Sequence, residues 1–112
     1  DNDESGSGNR RLATAVTIRY NKPAHGFKGT LANSARKCRV NRKVVLMRKR
    51  KGTDVAIRRG RTTDKGTYLL KKRRVRGKTW YVKARPKQFA NPNGGTTFCL
   101  KGRSVFLTIP NK

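Results

Sequence analysis

From Asn9 to the last residue, Lys112, the chain carries 30 Lys and Arg side chains and only two carboxylates, Asp54 and Asp64. The net charge is +25 over 112 residues, so a folded body repels itself and resists compaction at low salt. Only 33% of residues are hydrophobic, which fits one domain with a lean core. Charge of this size also draws nucleic acid, anionic lipid or acidic polysaccharide, which sets it apart from an ordinary soluble enzyme. The plain alternative is a solvated, supercharged surface with no dedicated partner.

The apolar residues alternate. Val16, Ile18 and Tyr20 share one face and Thr17 and Arg19 the other, which predicts a half-buried strand from Thr14 to Tyr20. Phe27, Gly29 and Leu31 predict a second. The run Val44-Val45-Leu46-Met47 predicts a central strand with either face inward, a conflict that a bulge would resolve. Lys51-Gly52-Thr53-Asp54 marks a hairpin turn, followed by a short strand at Val55 and Ile57. Residues 62–66 predict another turn, Thr67-Tyr68-Leu69-Leu70 a strand, and 71–78 a basic loop or hairpin tip. Trp80, Val82 and Ala84 alternate with Tyr81, Lys83 and Arg85. Residues 86–96 predict the longest loop, with Phe98 to Leu100 after it. Val105, Leu107 and Ile109 predict the last strand. No segment shows helical periodicity. About seven short strands with regular turn signals predict an all-β antiparallel sandwich or barrel.

Residues 1–13, with Asp1, Asp3 and Glu4 among Gly and Ser, read as a flexible acidic tail, and 14–112 as the basic domain. The polar start reads as a mature or trimmed terminus. No apolar run approaches eighteen residues, so no transmembrane helix is expected. Cys38 and Cys99, 61 positions apart, predict one disulfide, the alternative being two reduced buried thiols. With His25 the only histidine, no metal site or cofactor is expected.

The order Phe27-Lys28-Gly29-Thr30-Leu31, Cys38, Arg42-Lys43-Val44-Val45-Leu46, Thr63-Asp64 with Gly66 and Tyr68, Tyr81-Val82-Lys83-Ala84, then Cys99 and the Ser104-to-Ile109 segment resembles a known group. It is similar to the secreted β-sandwich domains of actinobacterial extracellular proteins, related in pattern to transthyretin-like (Ig-like) and carboxypeptidase-regulatory-like modules. The resemblance spans roughly residues 14–110. It implies a seven-stranded sandwich, an extracellular setting, no enzymatic role, and a disulfide tying the last-strand region to the segment before the central strand. One departure is the turn Asp64-Lys65-Gly66-Thr67-Tyr68, a residue shorter than the Asp-x-x-Gly-x-Tyr usual in such domains.

Chemistry-bearing residues are few. One histidine cannot supply both acid and base, and Asp54 and Asp64 fall at turns, where Asp accepts backbone N–H bonds, so no catalytic site is expected. The cations cluster instead. Arg36, Lys37, Arg39, Arg42 and Lys43 surround Cys38. Arg48, Lys49, Arg50 and Lys51 run into the first hairpin tip, continued by Arg58, Arg59 and Arg61. Lys71, Lys72, Arg73, Arg74, Arg76 and Lys78 fill the second. The two tips are the expected polyanion-binding site, through Arg forks and Lys charges. Lys28, Arg19 and Lys83 read as ordinary single solvent-facing positions. Trp80 is expected in the core, and Tyr81 is the candidate for stacking on a base or sugar, or else covers a sheet face.

The reading is a secreted or cell-surface, non-enzymatic domain that binds an anionic polymer: cell-wall polymer, acidic polysaccharide or extracellular DNA. The alternatives are an intracellular nucleic-acid-binding protein, OB-like or ribosome-associated, and a structural subunit of a surface assembly built by edge-strand addition.

Overall fold

The computed structural model describes residues 8–111. Twelve short strands and one helical turn follow in order: β1 (Arg10–Leu12), β2 (Ala15–Val16), β3 (Arg19–Asn21), β4 (Gly26–Ala32), α1 (Arg36–Arg39), β5 (Lys43–Lys49), β6 (Val55–Arg61), β7 (Thr67–Lys71), β8 (Thr79–Ala84), β9 (Lys87–Ala90), β10 (Thr96–Cys99), β11 (Gly102–Arg103) and β12 (Leu107–Thr108). None of the described helical residues forms a span long and apolar enough to cross a membrane.

Two sheets face each other. In one, β4 is central, with β2 and β3 on one side and β7 on the other. The second runs β11-β8-β5-β6, with β12 also paired to β8. Their inner faces supply the core: Phe27, Leu31, Tyr68 and Leu70 from the first, Val44, Leu46, Trp80, Val82 and Ala84 from the second, with Val16 and Val75 at the margins. The smallest dimension, 18 Å, fits two sheets about 10 Å apart with their outer side chains. The domain is thus an all-β sandwich, with seven strand positions in the two facing sheets once the fragments β2/β3 and β11/β12 are each taken as one interrupted strand, while the predicted Phe98–Leu100 segment falls in a separate three-stranded sheet, β1-β10-β9.

The interruptions have local causes. Between β2 and β3 the Thr17 carbonyl accepts the Tyr68 hydroxyl at 2.7 Å and lies over Gly29, where a Cβ would stand 2.0 Å from that oxygen. Only glycine admits this approach. Val16, Ile18 and Tyr20 still reach the core on either side of the break. Between β11 and β12, Ser104 exchanges bonds with Val82: its amide donates to the Val82 carbonyl, and its Oγ accepts the Val82 N–H at 2.9 Å. The chain buckles there, so Val105 is 75% exposed instead of inward, while Leu107 and Ile109 pack on the core.

The double apolar run of β5 is buried on both faces. Val44 and Leu46 enter the main core, whereas Val45 and Met47 form a small outer cluster with Tyr81 and Ala56. The β5–β6 register does shift, between Leu46 and Met47.

Three elements depart from the predicted outline. Residues 86–96 are not one loop, because Lys87–Ala90 pairs with β10. The polar content of that segment hides its alternation. Arg10–Leu12, placed in the tail, pairs in parallel with β10, so this small sheet is not purely antiparallel; the acidic residues of the tail lie outside the described residues. Residues 72–78 are not a hairpin tip: β7 pairs with β4 and β8 with β5, so the segment crosses between the sheets.

A candidate polyanion-binding end of the sandwich

One end of the sandwich is closed by covalent and buried polar bonds. Cys38, in α1, is bonded to Cys99 in β10, with Cα atoms 5.5 Å apart. Beside it Arg42 is 1% exposed. Its Nε donates to the Arg85 carbonyl (2.6 Å), one terminal nitrogen to Cys38 O (2.8 Å) and Thr14 Oγ1 (3.3 Å), and the other to Leu100 O (2.8 Å) and Cys99 O (3.4 Å). All donors of the fork are therefore met by oxygens of four separate chain segments. Burial lowers the Arg42 pKa from its ordinary value, yet a guanidinium keeps its proton. Arg42 thus leaves the surface cluster that its neighbours in sequence suggested. A buried arginine whose partners are carbonyls leaves no mark in the sequence.

The opposite end gathers the two long cation clusters. Arg48 stands opposite Trp80 and Lys49 opposite Thr79, so the first hairpin adjoins the start of β8 and with it Lys78. Lys71 stands opposite Gly26, and Phe27 packs on Trp80 with centroids 5.3 Å apart, which brings the end of β7 to the same place. Lys71, Lys72, Arg73 and Arg74 share a concavity with Arg58 and His25. Arg74, Arg76 and Lys78 share the adjoining one with Lys22, Tyr20 and His25. Arg59 does not join them: it pairs with Val45 on the other face.

This cationic end is held in shape. The Tyr20 hydroxyl donates to the Lys72 carbonyl (3.1 Å) and the Trp80 indole N–H to the Val75 carbonyl (3.1 Å). Lys72 N–H donates to His25 O (2.8 Å) and Gly77 N–H to Ile109 O (2.7 Å). Val75, 3% exposed, is the apolar plug under this crossover. Its cations therefore project from a fixed backbone.

Asp54 and Asp64 are the only carboxylate side chains among the described residues. They flank β6 at opposite ends, so they form no pair. Asp54 lies at the cationic end but is engaged: Oδ1 accepts the Arg50 N–H at 2.9 Å, and Oδ2 accepts the Tyr81 hydroxyl at 2.6 Å. The Tyr81 bond, then the Arg50 N–H, holds the Asp54 pKa below its ordinary value. At the Asp64 turn the backbone bonds go to Thr63 instead, whose Oγ1 accepts from Lys65 and Thr67 N–H. Arg48, half-buried, keeps its Nε buried without a hydrogen-bond partner.

Of the two readings of Tyr81, its burial fits the one in which it covers a sheet face. Tyr81 is 6% exposed, with Phe106 edge-on at 5.3 Å and the Arg103 guanidinium 5.6 Å from its centroid, so its ring is already covered. Burial, then the bond to Asp54, pushes its pKa up to about 12. Phe106 is the exposed ring, at 46%, with Lys49 Nζ 5.2 Å and the Arg103 guanidinium 4.5 Å from its centroid. The sequence held a signal for it: Phe106 is out of phase with Leu107 and Ile109. Nor are Arg19 and Lys28 isolated, since they face each other across β3 and β4.

No protein-family model matches the chain, and no curated protein matches it in sequence.

Proposed function

We propose that this domain is a secreted or cell-surface, non-enzymatic module that holds anionic polymers at the cationic end of the sandwich. The observation carrying this reading is the convergence of two sequence-distant cation clusters around residues 48–51 and 71–78, where the only nearby carboxylate side chain among the described residues is bound by Tyr81 and the Arg50 amide. Binding is by neutralisation of phosphate, sulfate or carboxylate groups and release of counterions. Phe106, framed by Lys49 and Arg103, offers a ring for a base or sugar where the polymer has one. The disulfide supports an oxidising compartment and weighs against the cytosolic alternative. The resemblance to secreted sandwich domains points the same way.

The test is titration with duplex DNA and with heparin across salt concentrations. Changing Lys71, Arg73 and Arg74 to Gln is expected to reduce the log–log salt slope on duplex DNA by roughly 0.9 for each phosphate no longer neutralised. A control variant at the disulfide end, with Arg36, Lys65 and Lys101 changed to Gln, is expected to lose far less. Equal losses would mean a diffuse cloud of charge and no site.

A further inference from the structure

The strand register builds a second concentration of positive charge away from the cationic end. Lys43 opens β5, and Arg61 stands directly opposite it on β6. On the other flank Arg85 follows Ala84, and its amide donates to the Lys43 carbonyl at 3.0 Å. Arg59 stands opposite Val45. The four cations frame an open concavity of about 400 Å³ that also includes Val45 and Gly60. All four residues are exposed, and neither Asp54 nor Asp64 lines the opening.

Like charges directly opposite each other destabilise an antiparallel pair. Here Lys43 has one such neighbour across the ladder and a second cation beside it on the next strand, with no acid among the described residues between them. A bound anion relieves that repulsion. A single negative charge would leave most of it in place, whereas a tetrahedral oxyanion with two charges meets several donors at once. Guanidinium forks match the edges of such a group, and Lys43 adds a point charge between them.

We propose that the concavity between Lys43, Arg59, Arg61 and Arg85 is a discrete oxyanion site for a doubly charged tetrahedral group, a phosphate monoester or a free phosphate or sulfate ion. It is independent of polymer binding at the cationic end, since β5 separates Lys43 from Lys49 by about 20 Å. Of its four cations Arg59 and Arg61 continue the first tip cluster in sequence, Lys43 falls in the group around Cys38, and Arg85 belongs to none. Positions 43, 61 and 85 meet only through pairing.

The experiment uses 1H–15N correlation spectra of the whole chain, titrated with inorganic phosphate and, separately, with sulfate, ionic strength being fixed with sodium chloride. The amides of Lys43, Gly60, Arg61 and Arg85 are expected to shift saturably, with a midpoint of roughly 1 mM. Lys43→Gln with Arg61→Gln is expected to weaken this at least about tenfold. The Lys71, Arg73 and Arg74 variant is expected to leave the midpoint at these amides within about twofold. The spectra report folding directly, and Arg85→Gln gives a second variant, expected to weaken binding at least about threefold. Non-saturating shifts, shifts matched by acetate, or an unchanged midpoint in the charge variants would overturn the site. Duplex-DNA affinity of the same variants reads the cationic end separately, so failure of either proposal is distinguishable.

Discussion

At the disulfide end a single arginine is buried and each of its donors meets an oxygen, whereas at the opposite end more than half a dozen cations stand exposed on a backbone fixed from beneath. The residue type is the same and the outcome is opposite. What differs is the supply of acceptors. Four segments converge at Arg42, three bringing carbonyls and Thr14 a hydroxyl, so the guanidinium closes the fold. Between residues 71 and 78 the carbonyls of Lys72 and Val75 are taken by Tyr20 and Trp80, and among the described residues the cations there meet only one oxygen of their own chain, the Arg74 carbonyl 3.4 Å from Lys78 Nζ. Positive charge in this domain is cement where free acceptors converge and a ligand surface where they do not.

The strongest way to break this comparison is at Arg42. Arg42→Gln removes most of the fork and leaves buried carbonyls without donors, and a loss of about 3–5 kcal/mol is expected. Arg42→Lys should rescue little, because an ammonium cannot span the same acceptors. Urea unfolding midpoints measure both. A change no larger than at an exposed Arg36→Gln control would show that the buried fork contributes nothing.

Next in size is the disulfide. Replacing Cys38 and Cys99 by Ala is expected to cost about 2–4 kcal/mol, mostly by freeing the unfolded chain across the 61-residue separation. Arg42 donates to the carbonyls of both cysteines, so the two losses should not add. A double-mutant cycle with strict additivity would separate what the structure joins. Counting thiols on unfolded, unreduced protein checks the bond itself, and two reactive thiols would refute it.

A smaller change sharpens the other end. Tyr20→Phe removes only the hydroxyl that holds the Lys72 carbonyl, at a cost of about 1 kcal/mol. Every cation is kept, so the salt slope for DNA should stand while the affinity falls a few-fold. An unchanged affinity would show that the fixed backbone of the crossover is irrelevant to binding.

These contrasts also explain what the sequence could convey. Alternation made Trp80, Val82 and Ala84 legible as core, because period two is set by the chain itself. The pairing of Cys38 with Cys99 was legible because no other partner exists. Arg42 was not, since its acceptors are backbone atoms from residues as far away as Leu100. Nor was the convergence of residues 48–51 with 71–78, which depends on register between strands far apart in sequence. Tyr81 could be read two ways, on an open face beside Lys83 and Arg85 or as cover for the sheet, and the sequence does not decide between them. The buckle at Ser104, a tertiary event, lays Phe106 against it.

The last and smallest effect concerns the one acid that the described residues place at the cationic end. Asp54 has a pKa held below its ordinary value by the Tyr81 hydroxyl and the Arg50 amide. A carboxylate depressed by folding stabilises the native state above its unfolded pKa of about 4, and that contribution is lost as pH falls through the lower folded value. Tyr81 runs the other way. Its pKa is raised to about 12, so folding favours the neutral phenol, and the benefit is full below about pH 10 and fades between there and about pH 12. Asp54→Asn should therefore flatten the stability profile below about pH 4 and lower the ultraviolet titration midpoint of Tyr81, because burial alone then raises it. The same change removes one negative charge beside Lys49 and Arg50, so affinity for duplex DNA should rise slightly at low salt, and less at high salt. Should the Tyr81 midpoint stay where it was, Asp54 is not its partner. The carboxylate would then be free at the cationic end, and the contrast between the two ends would lose its clearest local support.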